Sequence, residues 1–319
     1  MKKFLTLLLV SLCLTAQSRD IPVELVGETI TVIVAFGPGG NSDITARQLA
    51  KTVEKITGLH VMISNRPGAS GVIGTRALTQ AAPNGLTLGQ FDTGPAMVNT
   101  IQGLPNSPMR DQLVPVSAST ESSLALIVGA DVPANTVQEF VVYLQQQKQL
   151  NYATVGGIGT LMTEAFLDTA RVQGIEPILY KSQADTLRSV AAKETSFVLS
   201  AIGDAQGLID AKKVKALAVG SRVRSAQHPN IPTLAEIYNG FVTVNYNGVF
   251  APRGTPTHIL EYLNWAWNRA TVDPETSAAI VHRGNVPLGG DLSQARLFYN
   301  TYYTNREQLY KKYQHLLSK

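Results

Sequence analysis

Four short glycine-containing turns in this sequence could hold an anion through their backbone. They read FGPGGNSD (36–43), NRPGASG (65–71), DTGPA (92–96) and GGIGT (156–160), and each follows or adjoins a strand-like run. Small residues let the backbone approach a ligand closely, and the first N–H groups of a helix lack partners within the helix and attract negative charge. One such turn is most often only a tight turn, but four of them favour a small carboxylate as the ligand.

The turns do not match the motifs of nucleotide-binding or hydrolytic enzymes. A dinucleotide fold needs G-x-G-x-x-G, and Gly37 and Gly39 fit, but Ser42 occupies the third position. The second strand ends at Ser64 and Asn65 without the acidic residue that would hold a ribose. The sequence contains no P-loop, and GASG (68–71) is not the G-x-S-x-G nucleophile elbow.

Residues that could catalyse a reaction or bind a metal are scattered. The five histidines are far apart, no pair of them has metal-ligand spacing, and no pair of carboxylates stands out. A nucleophile, a base and a group that orients the base cannot be assembled from these residues. We therefore predict a protein that is not an enzyme and that uses neither a cofactor nor a metal.

The N-terminal residues are typical of a secretory signal peptide. MKK supplies positive charge, FLTLLLVSLCL is an apolar run too short to span a bilayer with margin, and Ala16 and Ser18 precede a cleavage site before Arg19. We predict that residues 1–18 are removed on secretion. A membrane anchor is an alternative for this segment, and Cys13, the only cysteine, leaves a lipoprotein open.

The charge of the chain argues against a nucleic-acid partner. The formal net charge is +4, and Lys2 and Lys3 contribute two of those charges and would leave with the signal peptide. No later segment is long and apolar enough to cross a membrane.

The remaining chain alternates between strand and helix patterns, which predicts an α/β fold with largely parallel sheets. Thr136 and Glu139 form a predicted capping box, and Thr255 and Pro256 are the predicted N-cap and first residue of another helix. Two extended runs, near 114–130 and 241–250, have no helix partner and predict two crossings between lobes. Residues 19–123 and 246–319 would form lobe 1 and residues 124–245 lobe 2, with ligand in the cleft between them.

Several stretches closely resemble the Bug-type receptors, the extracytoplasmic solute-binding proteins of tripartite tricarboxylate transporters. They are AFGPGGNSDITARQLA, ISNRPGASGVIGTRALTQAAPNGLTL, LNYATVGGIGT, LYKSQAD, VKALAVGSRVRSAQHPNIPTLAEI and NGVFAPRGTPTHILEYLN. The resemblance implies a two-lobed, type II periplasmic binding protein without a cofactor. It also implies a periplasmic location, a small carboxylate as ligand, and membrane transporter subunits as partners. We expect a monomer.

The resemblance also implies the site. The loop at 36–43 and the turn at 156–160 would face each other across the cleft, and the family's tyrosine–lysine pair falls on Tyr180 and Lys181. The predicted ligand-binding residues are Phe36, Gly37, Gly39, Gly40, Asn41, Asp43, Ser70, Thr93, Gly157, Gly159, Thr160, Tyr180, Lys181, Ser200 and Asp204.

The sequence departs from the family pattern at two of these positions. The common FPPGG is FGPGG here, so Gly37 adds backbone freedom, and the aspartate that can accept from a ligand amino group aligns with Ser200. The second change argues against an amino acid and favours a mono- or dicarboxylate or an aromatic acid. Two other functions stay open at this point, a secreted sensor that signals to a membrane kinase and a secreted α/β enzyme that acts on a carboxylate.

Overall fold

The computed structural model of the chain describes residues 19–92, 109–147 and 150–316. The predicted signal peptide and Thr93 lie outside these residues. The strands are β1 (Thr29–Val34), β2 (His60–Asn65), β3 (Thr87–Asp92), β4 (Leu113–Gly129), β5 (Leu150–Thr154), β6 (Ile175–Leu179), β7 (Phe197–Ala201), β8 (Val214–Ala218), β9 (Val244–Pro252) and β10 (Asn285–Pro287).

The helices alternate with these strands as the sequence predicts. They are α1 (Asn41–Thr57), α2 (Val72–Thr79), α3 (Met109–Gln112), α4 (Val137–Gln146), α5 (Ile158–Thr169), α6 (Gln183–Ala191), α7 (Ile202–Asp210), α8 (Leu234–Ile237), α9 (Thr257–Val272), α10 (Pro274–His282) and α11 (Leu292–Tyr313). Short 3-10 helices lie at Val23–Leu25, Ala69–Gly71 and Gln314–Leu316. The predicted α/β class is therefore confirmed.

The strands form two sheet regions that share β4. The first has the order β2-β1-β3-β9-β4, in which β1 is parallel to β2 and β3, and β9 is antiparallel to β3 and β4. The second joins β4 to β7 and β8, and β5 lies parallel to both β6 and β7. The antiparallel partners all involve the two long strands that the sequence marks as lacking a helix partner.

The change of sheet occurs within β4. Its residues through Ser123 pair with β9, and its residues from Leu124 pair with β7. A single strand therefore runs from the first sheet region into the second, as expected for a segment that crosses between two lobes. We use lobe 1 for residues 19–123 and 246–319 and lobe 2 for residues 124–245, as a proposed division.

Each region has its own hydrophobic core. Trp267 of α9 packs with residues of α1 and β1, and Phe140, Phe166 and Phe197 pack together beside β5 and β7. Helix α11 contacts both regions, because its first half packs on β4 while Tyr313 near its end belongs to the Phe166 core. The last helix therefore packs against both sheet regions.

Local signals set several of the helix starts. The predicted capping box at Thr136 and Glu139 is confirmed, with the Glu139 N–H donating to Thr136 Oγ1 at 3.1 Å. The prediction for α9 is wrong by one residue, because Pro256 is the N-cap and the Thr255 hydroxyl instead donates to the Pro252 carbonyl. Within the described ranges, no helix is long and apolar enough to cross a membrane.

Candidate ligand-binding site

The turn between β1 and α1 has a conformation that depends on glycine at one position. Gly39 has a φ of +82°, in the left-handed region, whereas Gly40 has φ −72° and ψ 166° and serves as the N-cap of α1. The backbone of Gly40 is thus in an extended conformation that any residue can adopt. A side chain at residue 40 is therefore compatible with the backbone, while one at residue 39 is strained.

Asp43 lies beneath this turn and fixes its shape. Its Oδ2 accepts the Gly39 N–H at 2.9 Å and the Arg47 Nε at 3.1 Å, and its Oδ1 accepts Asn65 Nδ2 at 2.8 Å. Asn65 also donates to the Phe36 carbonyl at 3.0 Å. Burial opposes ionisation of Asp43, but these hydrogen bonds and the Arg47 charge outweigh it and hold the pKa of the carboxyl below its usual value.

A buried polar chain supports the first residues of α1 from below. Asn247 of β9 donates to the Ser42 hydroxyl at 2.7 Å and accepts from Gln90 of β3. Asn285 of β10 donates to the Asn41 side-chain oxygen at 2.8 Å. The start of α1 is thus tied to three strands of lobe 1.

The glycine turn between β5 and α5 (residues 156–160) depends on a backbone conformation that only glycine adopts readily. Gly157 has φ 55° and ψ −128° and is the N-cap of α5. The Thr154 hydroxyl accepts the Gly156 N–H at 3.1 Å and lies 3.1 Å from the Thr160 hydroxyl. Thr160 is therefore buried under the turn and holds it in place.

Three of the helix starts at the cleft, like those of α2 and α9 elsewhere, lack a side-chain cap, whereas α6, whose cap Ser182 also lines the cleft, has one. Side-chain N-caps occur on α4, α6, α8, α10 and α11, at Thr136, Ser182, Thr233, Asp273 and Asp291. Helices α1, α5 and α7 begin at Gly40, Gly157 and Ala201 without one. Since their first N–H groups have no acceptor within the helix, they can donate to a ligand anion, which the helix dipole also favours.

These three helix starts line one continuous cleft. The glycine-turn cavity, about 470 Å³, is lined by residues 155–159, Lys181 and Ser182, and the wide cavity, about 1070 Å³, is lined by residues 39–42, Gly203 and Asp204. Both cavities share the lining residues Phe36, Asp92, Leu124, Gln183 and Asn245. The cleft lies at the carboxyl ends of β1, β5 and β7, where ligands bind in open α/β sheets.

Charged groups of both signs face the cleft. Lys181 is exposed in the glycine-turn cavity, and Arg283, His228 and His282 line the wide cavity. Asp204 faces the same cavity, where desolvation by the surrounding protein raises the pKa of its carboxyl, partly offset by the positive charge of Arg283. Within the described residues, no three His, Cys, Asp or Glu side chains form a group that could hold a metal ion.

Of the predicted ligand-binding residues, some line the cleft and others do not. The lining ones are Phe36, Gly39, Gly40, Asn41, Gly157, Gly159, Lys181 and Asp204. Those outside the two linings are Gly37, Asp43, Thr160, Tyr180 and Ser200. Ser70 lies in the 3-10 helix Ala69–Gly71, and Thr93 is outside the described residues.

The non-lining residues have structural partners. Asp43 and Thr160 hold the two turns, Tyr180 packs against the core beside β5 and α6, and Ser200 is buried in β7. We therefore propose that Asp43 and Thr160 position the site and do not touch the ligand.

Several lining residues carry no local signal in the sequence. Asn245 follows the crossing into β9, and Arg283 and Asn285 reach the cleft because β10 pairs with β4. A single asparagine in a strand or after a helix has no distinctive spacing, so only the sheet pairing brings these residues to the cleft.

Two α/β lobes, joined by long strands and facing a cleft with uncapped helix starts, define the class of two-lobed solute-binding proteins. The family model described as the tripartite tricarboxylate transporter family receptor (TctC) matches residues 45–313. Protein BugT of Bordetella pertussis is 30% identical over 280 residues, covering 84% of each chain. The chain therefore belongs to the tripartite tricarboxylate transporter receptor family, which is a class of periplasmic solute-binding receptors and not of enzymes.

Solved structures agree with this fold. The R. palustris protein Rpa4515 with adipate is 25% identical, with a TM-score of 0.76 over 90% of this chain and 97% of that chain. MatC from Rhodopseudomonas palustris with bound malate is 24% identical, with a TM-score of 0.72 over 89% of this chain and 99% of that chain. The predicted family and the two-lobed type II fold are thus confirmed.

Proposed function

We propose that this receptor captures a small mono- or dicarboxylate, or an aromatic acid, in the cleft and delivers it to the membrane subunits of a tripartite tricarboxylate-type transporter. One observation carries the proposal: the uncapped starts of α1 and α5 come from different lobes and face one continuous cleft. The adipate of Rpa4515 supports a carboxylate as the ligand class. The chain would act in the periplasm, as a monomer, after loss of residues 1–18.

Binding requires no chemical step. Carboxylate oxygens would accept N–H groups of the α1 start from lobe 1 and of the α5 start from lobe 2, and Lys181 would balance their charge. Because the contacts lie on both lobes, the ligand favours a closed arrangement about β4 and β9. The ligand would be released unchanged.

The ligand can be identified directly. Native mass spectrometry of the protein as purified should detect a bound acid, and a thermal-shift panel of mono- and dicarboxylates that includes adipate should rank candidates by the rise in Tm. Turnover of any panel member, followed by mass spectrometry of the mixture, would contradict a receptor and favour an enzyme.

A substitution at Gly40 tests the site. Valine fits the backbone there, because φ is negative and an added Cβ would come no nearer than 3.5 Å to the Gly37 carbonyl. Its branches would obstruct the ligand, and the loss of one or two charge-assisted hydrogen bonds of about 1.5–3 kcal/mol each weakens affinity by roughly tenfold to more than a thousandfold.

The matched control is Gly207→Val on α7, where an added Cβ meets nothing within 4 Å and which does not line the cleft. Calorimetry with the highest-ranked acid should give wild-type affinity for this variant. If folded Gly40→Val binds that acid as tightly as the wild type, the α1 turn is not the binding site.

A further inference from the structure

A third cavity lies between α11 and the chain segment that leads into β9. Its volume is about 620 Å³, within the range of about 300–1,000 Å³ that is typical of small-molecule sites. Its walls are mainly apolar and include Phe241, Val242, Leu297, Phe298 and Leu309. It shares no lining residue with either cavity of the cleft. We call it the α11 cavity.

The α11 cavity contains a buried arginine that has no carboxylate partner among the residues that the structure describes. Arg306 is 5% exposed, and its Nη1 donates to the Met162 sulfur at 3.2 Å while its Nη2 donates to the Val244 carbonyl. Its guanidinium carbon lies 5.9 Å from the Tyr302 ring centroid. None of the described carboxylates forms an ion pair with Arg306, although the charge of Asp92 acts on it electrostatically.

Burying a guanidinium without a carboxylate partner lowers the stability of the fold. A guanidinium has five N–H donors, thioether sulfur is a weak acceptor, and a buried charge without a partner destabilises a fold. Burial lowers the pKa of Arg306 to about 10, with electrostatic interactions with the Tyr302 phenol and the Asp92 carboxylate acting in the opposite direction, so the side chain stays cationic at neutral pH. An anion in the cavity would supply the partner that the guanidinium lacks.

With Arg306 included, the charges at the cavity wall are positive on balance. Arg222 and Lys312 also line it, and Lys312 pairs with Asp168. Glu121, the acidic residue among the described lining residues, accepts a hydrogen bond from Tyr302 at 2.8 Å. A ligand with one anionic group is therefore favoured. A second anionic group would be repelled by the Glu121 carboxylate or would lie against the apolar wall.

We propose that the α11 cavity is a second ligand site that binds a soluble amphiphilic carboxylate, with its acid group at Arg306 and its hydrocarbon chain on Phe241, Val242 and Phe298. A straight saturated chain suits these walls, since they offer apolar contact and few hydrogen-bond partners. The proposal stands independently of the ligand in the cleft, because it rests on a different set of residues.

The test uses decanoate as the probe and the full mature protein. Calorimetry should show saturable decanoate binding to the wild type. Arg306→Met keeps most of the side-chain volume and removes the buried charge, so the variant should fold with an unchanged or higher Tm and bind decanoate at least about tenfold more weakly.

A second pair of variants, at an exposed residue, keeps the proposal testable if Arg306→Met fails to fold. Leu297 lines the cavity and is 67% exposed, so replacing it should leave the fold intact. Leu297→Glu places a negative charge at the rim and should weaken decanoate binding about tenfold, while the matched Leu297→Gln should weaken it by less than about threefold.

Three outcomes would overturn the proposal. The first is the absence of saturable decanoate binding to the wild type. The second is wild-type decanoate affinity in Arg306→Met. If Gly40→Val also loses decanoate binding, the probe binds in the cleft and not in the α11 cavity. The third is co-sedimentation with anionic phospholipid vesicles that Arg306→Met and Leu297→Glu abolish, without binding of free decanoate, which would make a membrane lipid the occupant.

Discussion

The backbone N–H of Gly39 donates to the Oδ2 of Asp43 at 2.9 Å. This N–H is therefore engaged within the protein, and a ligand at the α1 start would have to accept from the first N–H groups of the helix itself. Asp43 is 2% exposed and lies outside the cleft lining. A residue that sequence patterns nominate as a ligand contact is thus better explained as the anchor of the turn that makes the contact.

Removing the charge of Asp43 should therefore weaken binding although no residue that lines the cleft is replaced. In Asp43→Asn, one side-chain oxygen becomes an amide nitrogen that cannot accept from Gly39 or Arg47. The free energy of unfolding should fall by about 1–3 kcal/mol, and affinity for the bound acid should fall about tenfold as the turn relaxes. Calorimetry and urea unfolding measure both effects.

Asp291→Ala is the control for this variant. Asp291 caps α11 by accepting the Gln294 N–H at 2.8 Å, away from the cleft. Its loss should cost about 1 kcal/mol of stability and leave affinity unchanged. Equal affinity losses in Asp43→Asn and Asp291→Ala would point to general destabilisation and against a positioning role.

The contribution of Asp43 to stability should depend on pH. Its pKa is lowered in the folded state, so its stabilisation is fully present above the unfolded value of about 3.9 and is lost as the pH falls through the folded value. The stability difference between wild type and Asp43→Asn should be constant near neutral pH and shrink below about pH 4. Urea unfolding at a series of pH values tests this, and a difference that persists undiminished at pH 2 would refute it.

Glu164 should show the opposite pH dependence. Burial raises the pKa of its carboxyl, against the hydrogen bond from Tyr152 at 2.7 Å, so the folded state favours the protonated form. That preference stabilises the fold below about pH 4.3 and is lost as the pH rises through the folded value. Glu164→Gln cannot ionise, and its Tm at pH 7 should exceed that of the wild type by on the order of 1–3 °C.

The advantage of Glu164→Gln should disappear below pH 4, where the wild-type carboxyl is protonated. Glu236→Gln is the counterpart, because the ion pair with Arg224 lowers the pKa of Glu236 to about 2. That variant should have a lower Tm than the wild type at pH 7. A lower Tm in both variants at pH 7 would mean that Glu164 stabilises the fold as an anion.

Lys181 should contribute to affinity through its charge. It lines the glycine-turn cavity, and none of the described residues forms an ion pair with it. Lys181→Gln should weaken binding of the acid roughly three- to tenfold in low salt, and the difference should narrow as salt screens the charge. Lys193→Gln, which breaks an exposed pair with Asp131 away from the cleft, should bind as the wild type does. Identical, salt-independent affinities for all three proteins would exclude Lys181 from the site.

The sequence predicts the features of this protein that depend on residues close together in the chain. The capping box at Thr136 and Glu139 involves residues three apart, so it can be identified without a structure. The glycine turns are likewise local, and both the one before α1 and the one before α5 lie at the cleft. The strand–helix alternation predicts the fold class because the spacing of apolar residues differs between strands and helices and can be read within each element.

The features that the sequence did not predict depend on distant partners. Asp43 is recognisable as a positioning residue only once β2 brings Asn65 to it, and Asn285 reaches Asn41 only because β10 pairs with β4. The misplaced N-cap at Thr255 has a smaller cause, since threonine and proline in sequence are compatible with either residue as the cap. Side chains that gain their roles through tertiary contacts have no spacing that could identify them.

The insertion of β9 between β3 and β4 has a consequence for the order of folding. When only the first 240 residues have emerged into the periplasm, every strand of the second sheet region is available, but Asp92 of β3 cannot yet pair with Asn247. Pairing across such a sequence separation is slow, and until it happens β3 and the first half of β4 are unpaired edges that invite intermolecular association. We expect lobe 2 to fold early and lobe 1 to stay vulnerable to aggregation until the C-terminal quarter of the chain arrives.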